Sequence, residues 1–243
     1  LNKMIENNWL GDKTGQGFFK KNKGAGGEKE ILTLNLQTME YAPRVKPKFA
    51  SVEAAKPIDD LKTRLKMLCS SSDKAGEFYK QFHYSLFSYI SHRIPEISDE
   101  LYRVDDAMMA GFGWEIGAFE SWDVLGVAKT VDAMKAAGYK VAPWVDEMIA
   151  SGATSFYKVE NNKRVCYDPA TKSYKVIPGG DAFIVMKNFE NQTVWKNASC
   201  RTYHLGDDVL GLEWNTKMGS IGGEVLEGIQ KSIALAEEKY KGL

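Results

Sequence analysis

The fold is decided mainly by residues 101–127, which read LYRVDDAMMAGFGWEIGAFESWDVLGV. In the first half, apolar residues recur at the 3.6-residue period of an amphipathic helix: Leu101, Val104, Met108 and Met109. Gly111 and Gly113 interrupt this pattern, because glycine adopts backbone angles that other residues resist. A second apolar segment follows and stops at Gly126. The residues alone therefore predict a helix–turn–helix packing unit, with no nucleophile, metal cluster or phosphate loop.

Three aromatic residues in this stretch are expected to nucleate the core: Phe112, Trp114 and Trp122. If the two indole rings are buried, replacing either tryptophan by alanine should cost about 3–5 kcal/mol of stability.

The composition is that of an ordinary globular chain. Of its 243 residues 44% are hydrophobic and 26% charged, and the 32 basic residues balance the 32 acidic ones. This balance gives no electrostatic case for binding nucleic acid. No apolar run reaches the roughly 18 residues that a membrane span needs. The three cysteines, Cys69, Cys166 and Cys200, are few and far apart, which favours free thiols in the cytoplasm over a disulfide framework or a zinc site.

Glycines and prolines in the first quarter of the chain predict loops and a linker. The sequence WLGDKTGQGFF (residues 9–19) has three glycines in seven positions and predicts a loop that docks through Phe18 and Phe19. The loop matches neither GxGxxG nor GxxxxGK[ST], so a phosphate site is not favoured. Residues 23–55 are predicted to be a linker, flexible at 24–27, with one strand over 31–36 and an extended run around Pro43 and Pro47. Because the chain begins with Leu1 inside a helical pattern, we expect it to be part of a longer protein.

Residues 56–153 predict a helical domain. Pro57 lies near a predicted helix start and is followed by Asp59 and Asp60, which suit the positive end of the helix dipole. Asp73 caps the next predicted helix, and Pro143 begins a later one. His83 and His92 lie nine positions apart, which does not suit a metal site, and are expected to be hydrogen-bonded or half-exposed.

The period changes from residue 155 onward. A hairpin is predicted around Asn161 and Asn162, followed by short strands over 174–177, 183–186, 194–195, 203–205 and 209–214. A helix is predicted over 222–240. The fold class is thus mainly α, with a small antiparallel β region and a C-terminal βα unit.

Two of these motifs resemble one enzyme family. RVDDAMMAGFGWEIGAFESWDVLGV (103–127) resembles the signature of the C-terminal helical domain of 3-hydroxyacyl-CoA dehydrogenases, although Gly117-Ala118 stands where the family has Gly-Pro. WLGDKTGQGFF resembles the loop that closes the first copy of that domain. The resemblance implies the tail of a first copy over 1–22, the linker over 23–55, a second copy over 56–153 and a β-hairpin connector over 154–200.

The end of the chain resembles a second family. DDVLGLEWNTKMGSIG (207–222) is similar to the opening strand and loop of enoyl-CoA hydratase domains, whose loop reads K-x-N-[AS]-[LI]. Lys217, Ser220 and Ile221 match, and Gly219 replaces the asparagine. The resemblance implies a truncated hydratase-like domain over 201–243, with CoA held by Lys217, Met218, Ser220 and Ile221.

Together these resemblances imply the middle of a bifunctional β-oxidation enzyme that oxidises L-3-hydroxyacyl-CoA with NAD and hydrates enoyl-CoA. The chain has no GxGxxG fingerprint, so NAD is expected to bind a Rossmann domain outside it, and the chain alone is expected to be inactive. It would serve as a packing and homodimerisation platform for the Rossmann and hydratase domains around the acyl-CoA. The alternative is a stand-alone helical interaction or acyl-CoA-binding module without activity, since a domain type does not establish a function.

Overall fold

The computed structural model describes residues 1–23, 29–180 and 183–243 and contains two compact units, residues 1–54 and 55–243. Helices make up most of the regular structure, together with three small antiparallel sheets. The predicted fold class, mainly α with a small antiparallel β region, is confirmed. The flexible segment predicted at 24–27 lies outside the described residues.

The first unit contains more strand than its sequence predicts. After helix α1 (Asn2–Glu6) and a 3-10 turn, an antiparallel sheet of order β1-β2-β3 forms from Phe19–Lys23, Lys29–Leu34 and Tyr41–Pro43. The sequence predicts only the middle strand. The docking role of Phe18 and Phe19 is wrong, because both rings are about half exposed. Tyr41 holds the loop instead: its hydroxyl donates to the Gly17 carbonyl at 2.6 Å.

The helices of the chain begin and end where local chemistry places them. Asp73 accepts from the Gly76 amide at 2.9 Å, which confirms it as a capping residue. Asp60 also caps a helix, by accepting from the Thr63 amide at 2.7 Å, because that helix begins at Leu61 and not near Pro57. Gly113 ends a helix in the left-handed conformation, with φ 67°. The helices are α2 (Ala50–Ala55), α3 (Leu61–Ser70), α4 (Lys74–His92), α5 (Leu101–Phe112), α6 (Ala118–Leu125), α7 (Val127–Ala136) and α8 (Pro143–Ala150).

A core with many aromatic rings joins helices α4 to α8. Trp122 is fully buried and stacks on Phe87, with ring centroids 4.7 Å apart, which confirms the core role predicted for Trp122. The same role is wrong for Phe112, which is 74% exposed, and for Trp114, which is only half-buried. Phe112 is the last residue of α5, where the helix extends past the core that its earlier turns contact. The core rings that join Trp122 come from other positions: Phe87, Phe119 and Phe156.

The hairpin after α8 forms as predicted. An antiparallel sheet of order β4-β5-β6 consists of Tyr157–Glu160, Lys163–Asp168 and Ser173–Val176. Asn161 and Asn162 both have positive φ, 50° and 59°, as a tight hairpin turn of the primed type requires.

A last sheet and helix close the chain. Strands β7 (Thr193–Lys196), β8 (Cys200–Gly206) and β9 (Val209–Trp214) are antiparallel, and α9 (Gly223–Lys239) packs on them. β7 and β8 pair across the predicted domain boundary between residues 200 and 201. The strand predicted over 183–186 is wrong, because Met186–Gln192 form a 3-10 helix. The apolar run that suggested a strand ends at Met186. The residues that follow it in the 3-10 helix are polar except Phe189, which is the one buried residue of that helix.

Candidate functional site

The four residues predicted to hold CoA lie together in one exposed turn between β9 and α9. Lys217 and Met218 belong to a 3-10 turn, and Ser220 and Ile221 follow it directly. The Ser220 hydroxyl donates to the Lys217 carbonyl at 3.0 Å, which closes the turn. Met218 adopts a left-handed conformation, with φ 60°, and its side chain is 96% exposed.

This turn has the elements of an anion site but little enclosure. Lys217 supplies a positive charge, and α9 begins at Gly223 without a side-chain cap, so its first amides lack side-chain acceptors. Every side chain predicted to contact CoA is exposed to solvent. The turn therefore offers one positive charge and two exposed apolar side chains, those of Met218 and Ile221.

Asp105, on α5, is the most deeply buried carboxylate among the described residues. Its carboxylate reaches the first turn of α6 and accepts three hydrogen bonds. The donors are the Phe119 amide at 2.8 Å, the Glu120 amide at 3.0 Å and the Tyr157 hydroxyl at 2.9 Å. It therefore caps α6 from a different helix. Gly117 permits this approach, because a Cβ atom there would lie 2.1 Å from the Asp105 carboxyl carbon.

Asp123 joins the other end of α6 to the start of the β4-β5 hairpin. Its two oxygens accept from the amides of Phe156 at 2.7 Å and Tyr157 at 2.9 Å. Burial raises the pKa of Asp105 to about 6 and that of Asp123 to about 7, although the hydrogen bonds oppose this shift. Tyr157, at the start of β4, thus donates to Asp105 on α5 through its hydroxyl and to Asp123 on α6 through its backbone amide. The two carboxylates therefore hold β4 against these two helices.

Glu120 forms an ion-pair network beside these two groups. Its oxygens lie 2.8 Å from Lys62 Nζ and 2.9 Å from Arg164 Nη2. Burial opposes the ionisation of Glu120, but the two cations together outweigh it and lower the pKa. Arg164 also stacks over the Tyr157 ring, 4.3 Å from its centroid. This network links α3, α6 and β5.

Asp105 and Glu120 border a cleft of about 570 Å³ between α5, the β4-β5 hairpin and the segment before β7. A general acid or base needs an oxygen that can reach a substrate proton. Here each oxygen of Asp105, Asp123 and Glu120 already accepts from an amide, a hydroxyl or a cation. These hydrogen bonds and ion pairs stabilise the fold.

His83 and His92 are hydrogen-bonded, as the sequence predicts. His83 Nδ1 lies 2.7 Å from the Tyr79 carbonyl and His92 Nδ1 lies 2.8 Å from the Ser88 carbonyl, so each donates along its own helix. Cys69 Sγ is 3.7 Å from His83 Nδ1, but that nitrogen is already a donor. Burial raises the pKa of Cys69 to about 11 and lowers that of His83, so the pair stays a neutral thiol and a neutral imidazole. Among the described residues, no group of three or more His, Cys, Asp or Glu side chains could hold a metal ion.

Curated relatives match the chain along its full length. A "Probable 3-hydroxyacyl-CoA dehydrogenase" of Bacillus subtilis is 33% identical over 245 residues, which cover 100% of this chain and 30% of that protein. This chain is thus similar throughout to a protein named for 3-hydroxyacyl-CoA dehydrogenation. A "Putative fatty acid oxidation complex trifunctional enzyme" of Rickettsia prowazekii is 23% identical and that of Rickettsia felis 22%, each again over 100% of this chain and 29% of the relative.

The chain spans about 30% of the length of the curated relatives it matches. No protein-family model matches it, and no solved structure does. Within the described part of the chain, no helix is both long and apolar enough to cross a membrane.

Proposed function

We propose that this chain is a non-catalytic structural and dimerisation segment of a larger fatty-acid β-oxidation enzyme. The observation that carries the proposal is the match at 33% identity along the whole chain to a protein named as a 3-hydroxyacyl-CoA dehydrogenase. The geometry supports it, because the buried acids are consumed in holding α5, α6 and β4 together. The parent enzyme oxidises L-3-hydroxyacyl-CoA with NAD and hydrates enoyl-CoA.

On this proposal the segments have distinct roles. Residues 1–22 end a first helical dehydrogenase domain, residues 56–153 are the second, and residues 201–243 begin a hydratase-like domain; residues 23–55 and 154–200 connect them. NAD binds a Rossmann domain outside the chain. The parent works in the cytoplasm as a homodimer, and the three free cysteines, Cys69, Cys166 and Cys200, fit a reducing compartment.

The purified chain should show no acetoacetyl-CoA-dependent oxidation of NADH, because the groups that move hydride and proton belong to another domain. The measurement is steady-state absorbance of NADH, with a longer protein that includes an upstream Rossmann domain as the positive control. Turnover by the 243-residue chain would overturn the assignment. A coding sequence without GxGxxG upstream of Leu1 would favour a stand-alone acyl-CoA-binding module instead.

We further propose that Lys217, Met218, Ser220 and Ile221 contact CoA. Lys217→Ala should weaken CoA binding about tenfold, because a charge-assisted contact to phosphate is worth roughly 1.5–3 kcal/mol and tenfold corresponds to about 1.4 kcal/mol. Isothermal titration of the chain with CoA measures this. Lys231→Ala, on the exposed surface of α9, is the matched control and should bind as the parent does. Equal affinities for the two variants would remove Lys217 from the site.

A further inference from the structure

The outer side of α4 carries a row of exposed aromatic side chains. Phe78, Phe82 and Tyr89 are 66%, 43% and 59% exposed, and the rings of Phe78 and Phe82 stack with centroids 6.5 Å apart. Ser85 and His92 lie in the same row and are also exposed. We call these five residues the α4 stripe. Aromatic rings are enriched in protein interfaces, whereas folded monomers rarely expose contiguous apolar surface.

The spacing of the α4 stripe is that of a helix that pairs with another helix. From Phe78 to His92 its members follow one another at intervals of four, three, four and three residues. This alternation is that of the a and d positions of a coiled coil, which lie on one side of the helix. The helix Lys74–His92 has 19 residues and is long enough for such a seam. The pattern therefore predicts a helix as the partner.

The charges at the two ends of the α4 stripe are complementary to each other. Lys74 and Glu96 each lie eleven residues from Ser85, on opposite sides, and Glu77 and Arg93 each lie eight residues from it. If two copies of α4 pair antiparallel with Ser85 at the centre, opposite charges meet at both distances. In a parallel pair each of these four residues would face its own copy, and like charges repel. The order of the charges thus favours an antiparallel pair of identical helices.

The uncharged residues fit the same arrangement. Phe82 and Ser88 each lie three residues from Ser85, so a large ring meets a small side chain of the second copy. Phe78 and His92 each lie seven residues from Ser85, so two pairs of rings meet. At the centre the two Ser85 side chains are small enough to let the helices approach closely.

The ion pairs within one copy do not compete strongly with this arrangement. Glu77 lies 2.7 Å from Lys80 Nζ and Glu96 lies 2.8 Å from Arg93 Nη1, and both glutamates are more than half exposed. Exposed pairs three residues apart contribute little. The Arg93 guanidinium lies 5.0 Å from the centroid of the Tyr89 ring, beside the stripe. Because a guanidinium has five N–H donors, it can bind a second carboxylate there.

We propose that the chain forms a two-fold symmetric homodimer in which two α4 stripes pack antiparallel about Ser85. The same surface serves both copies, so the assembly closes at two chains. This inference rests on the homodimerisation included in the proposed function and assigns a surface to it. The NADH measurement tests the role in β-oxidation separately, because it does not depend on how the chain associates.

Sedimentation equilibrium of the 243-residue chain should show a dimer that dissociates on dilution. Phe82→Ser should raise the dissociation constant at least tenfold, because an aromatic ring near the centre of the interface is lost. Phe112→Ser is the matched control: it removes a 74% exposed ring at the end of α5 and should leave the constant unchanged. A monomeric parent chain would overturn the surface together with the homodimer. Equal dimerisation by the parent and Phe82→Ser would overturn the surface alone.

Charge reversal tests the antiparallel arrangement. Glu77→Arg and Arg93→Glu should each weaken the dimer at least tenfold, because like charges then meet at both ends. An equimolar mixture of the two variants should recover the parent's affinity, because opposite charges meet again in the mixed dimer. Asp132→Arg, which reverses an exposed acid on α7, is the matched control and should dimerise as the parent does. Thermal melts establish that each variant is folded. Weakening without recovery in the mixture, or no weakening, would contradict the antiparallel pairing.

Discussion

Trp122→Ala is expected to lower the free energy of unfolding of residues 55–243 by about 3–5 kcal/mol, the range for large-to-small changes at buried aromatic positions. Trp122 is fully buried, stacks on Phe87 and contacts Phe156, with ring centroids 5.2 Å apart. Its removal leaves a cavity at the point where α4 and α6 meet. Urea denaturation followed by circular dichroism measures the change.

Trp114→Ala is the matched control, because Trp114 lies in the same stretch but is only half-buried. Its loss should cost less than about 1 kcal/mol. Similar costs for the two variants would show that the core does not centre on Trp122.

Asp105→Ala is expected to destabilise the same unit by about 3 kcal/mol. The substitution leaves the Phe119 amide, the Glu120 amide and the Tyr157 hydroxyl without their acceptor, and each unsatisfied buried donor costs roughly 1–3 kcal/mol. Release of the buried charge offsets part of the loss. Asp106→Ala, an exposed neighbour, should change stability by less than about 0.5 kcal/mol.

The cost of Asp105→Ala should also depend on pH. Burial raises the pKa of Asp105 to about 6 in the folded state, above the roughly 3.9 of an unfolded chain, so the folded state binds this proton more tightly. The resulting stability is present at low pH and is lost as pH rises through about 6. The variant lacks this contribution, so its deficit should be about 1 kcal/mol larger at pH 5 than at pH 7. A smaller deficit at pH 5 would mean that the carboxylate is stabilised when ionised.

Local chemistry made most helices predictable. Asp60 and Asp73 cap their helices through the next few residues, and Gly113 ends a helix through its own backbone, so each feature can be read from neighbouring residues. The hairpin at Asn161 and Asn162 is predictable for the same reason, since a two-residue turn favours residues that tolerate positive φ.

Long-range contacts account for what the sequence did not reveal. The cap that Asp105 provides depends on how α5 approaches α6, and within α5 this residue looks like one more polar position. Gly117, 12 residues further on, was the available clue, because a close approach of two elements requires a missing side chain. Phe112 continues the apolar pattern of α5, but periodicity cannot show where the core that covers a helix ends.

For the predicted CoA contacts, the sequence predicted the position of the residues but not their ligand. The structure brings Lys217, Met218, Ser220 and Ile221 into one turn, because they are close in sequence and lie between a strand and a helix. Whether a turn binds a ligand depends on charge and on elements that approach it from elsewhere in the fold. Sequence proximity therefore predicted where these residues lie but could not establish what they bind.

The central claim is that this chain contributes structure to a β-oxidation enzyme while the reacting groups lie outside it. A single-turnover experiment tests it most directly: the 243-residue chain in excess over NADH, mixed with acetoacetyl-CoA and followed at the absorbance band of NADH. We expect no loss of NADH beyond that seen with the Trp122→Ala variant under the same conditions. Loss of NADH that requires both the folded chain and acetoacetyl-CoA would show that the chain carries its own catalytic groups.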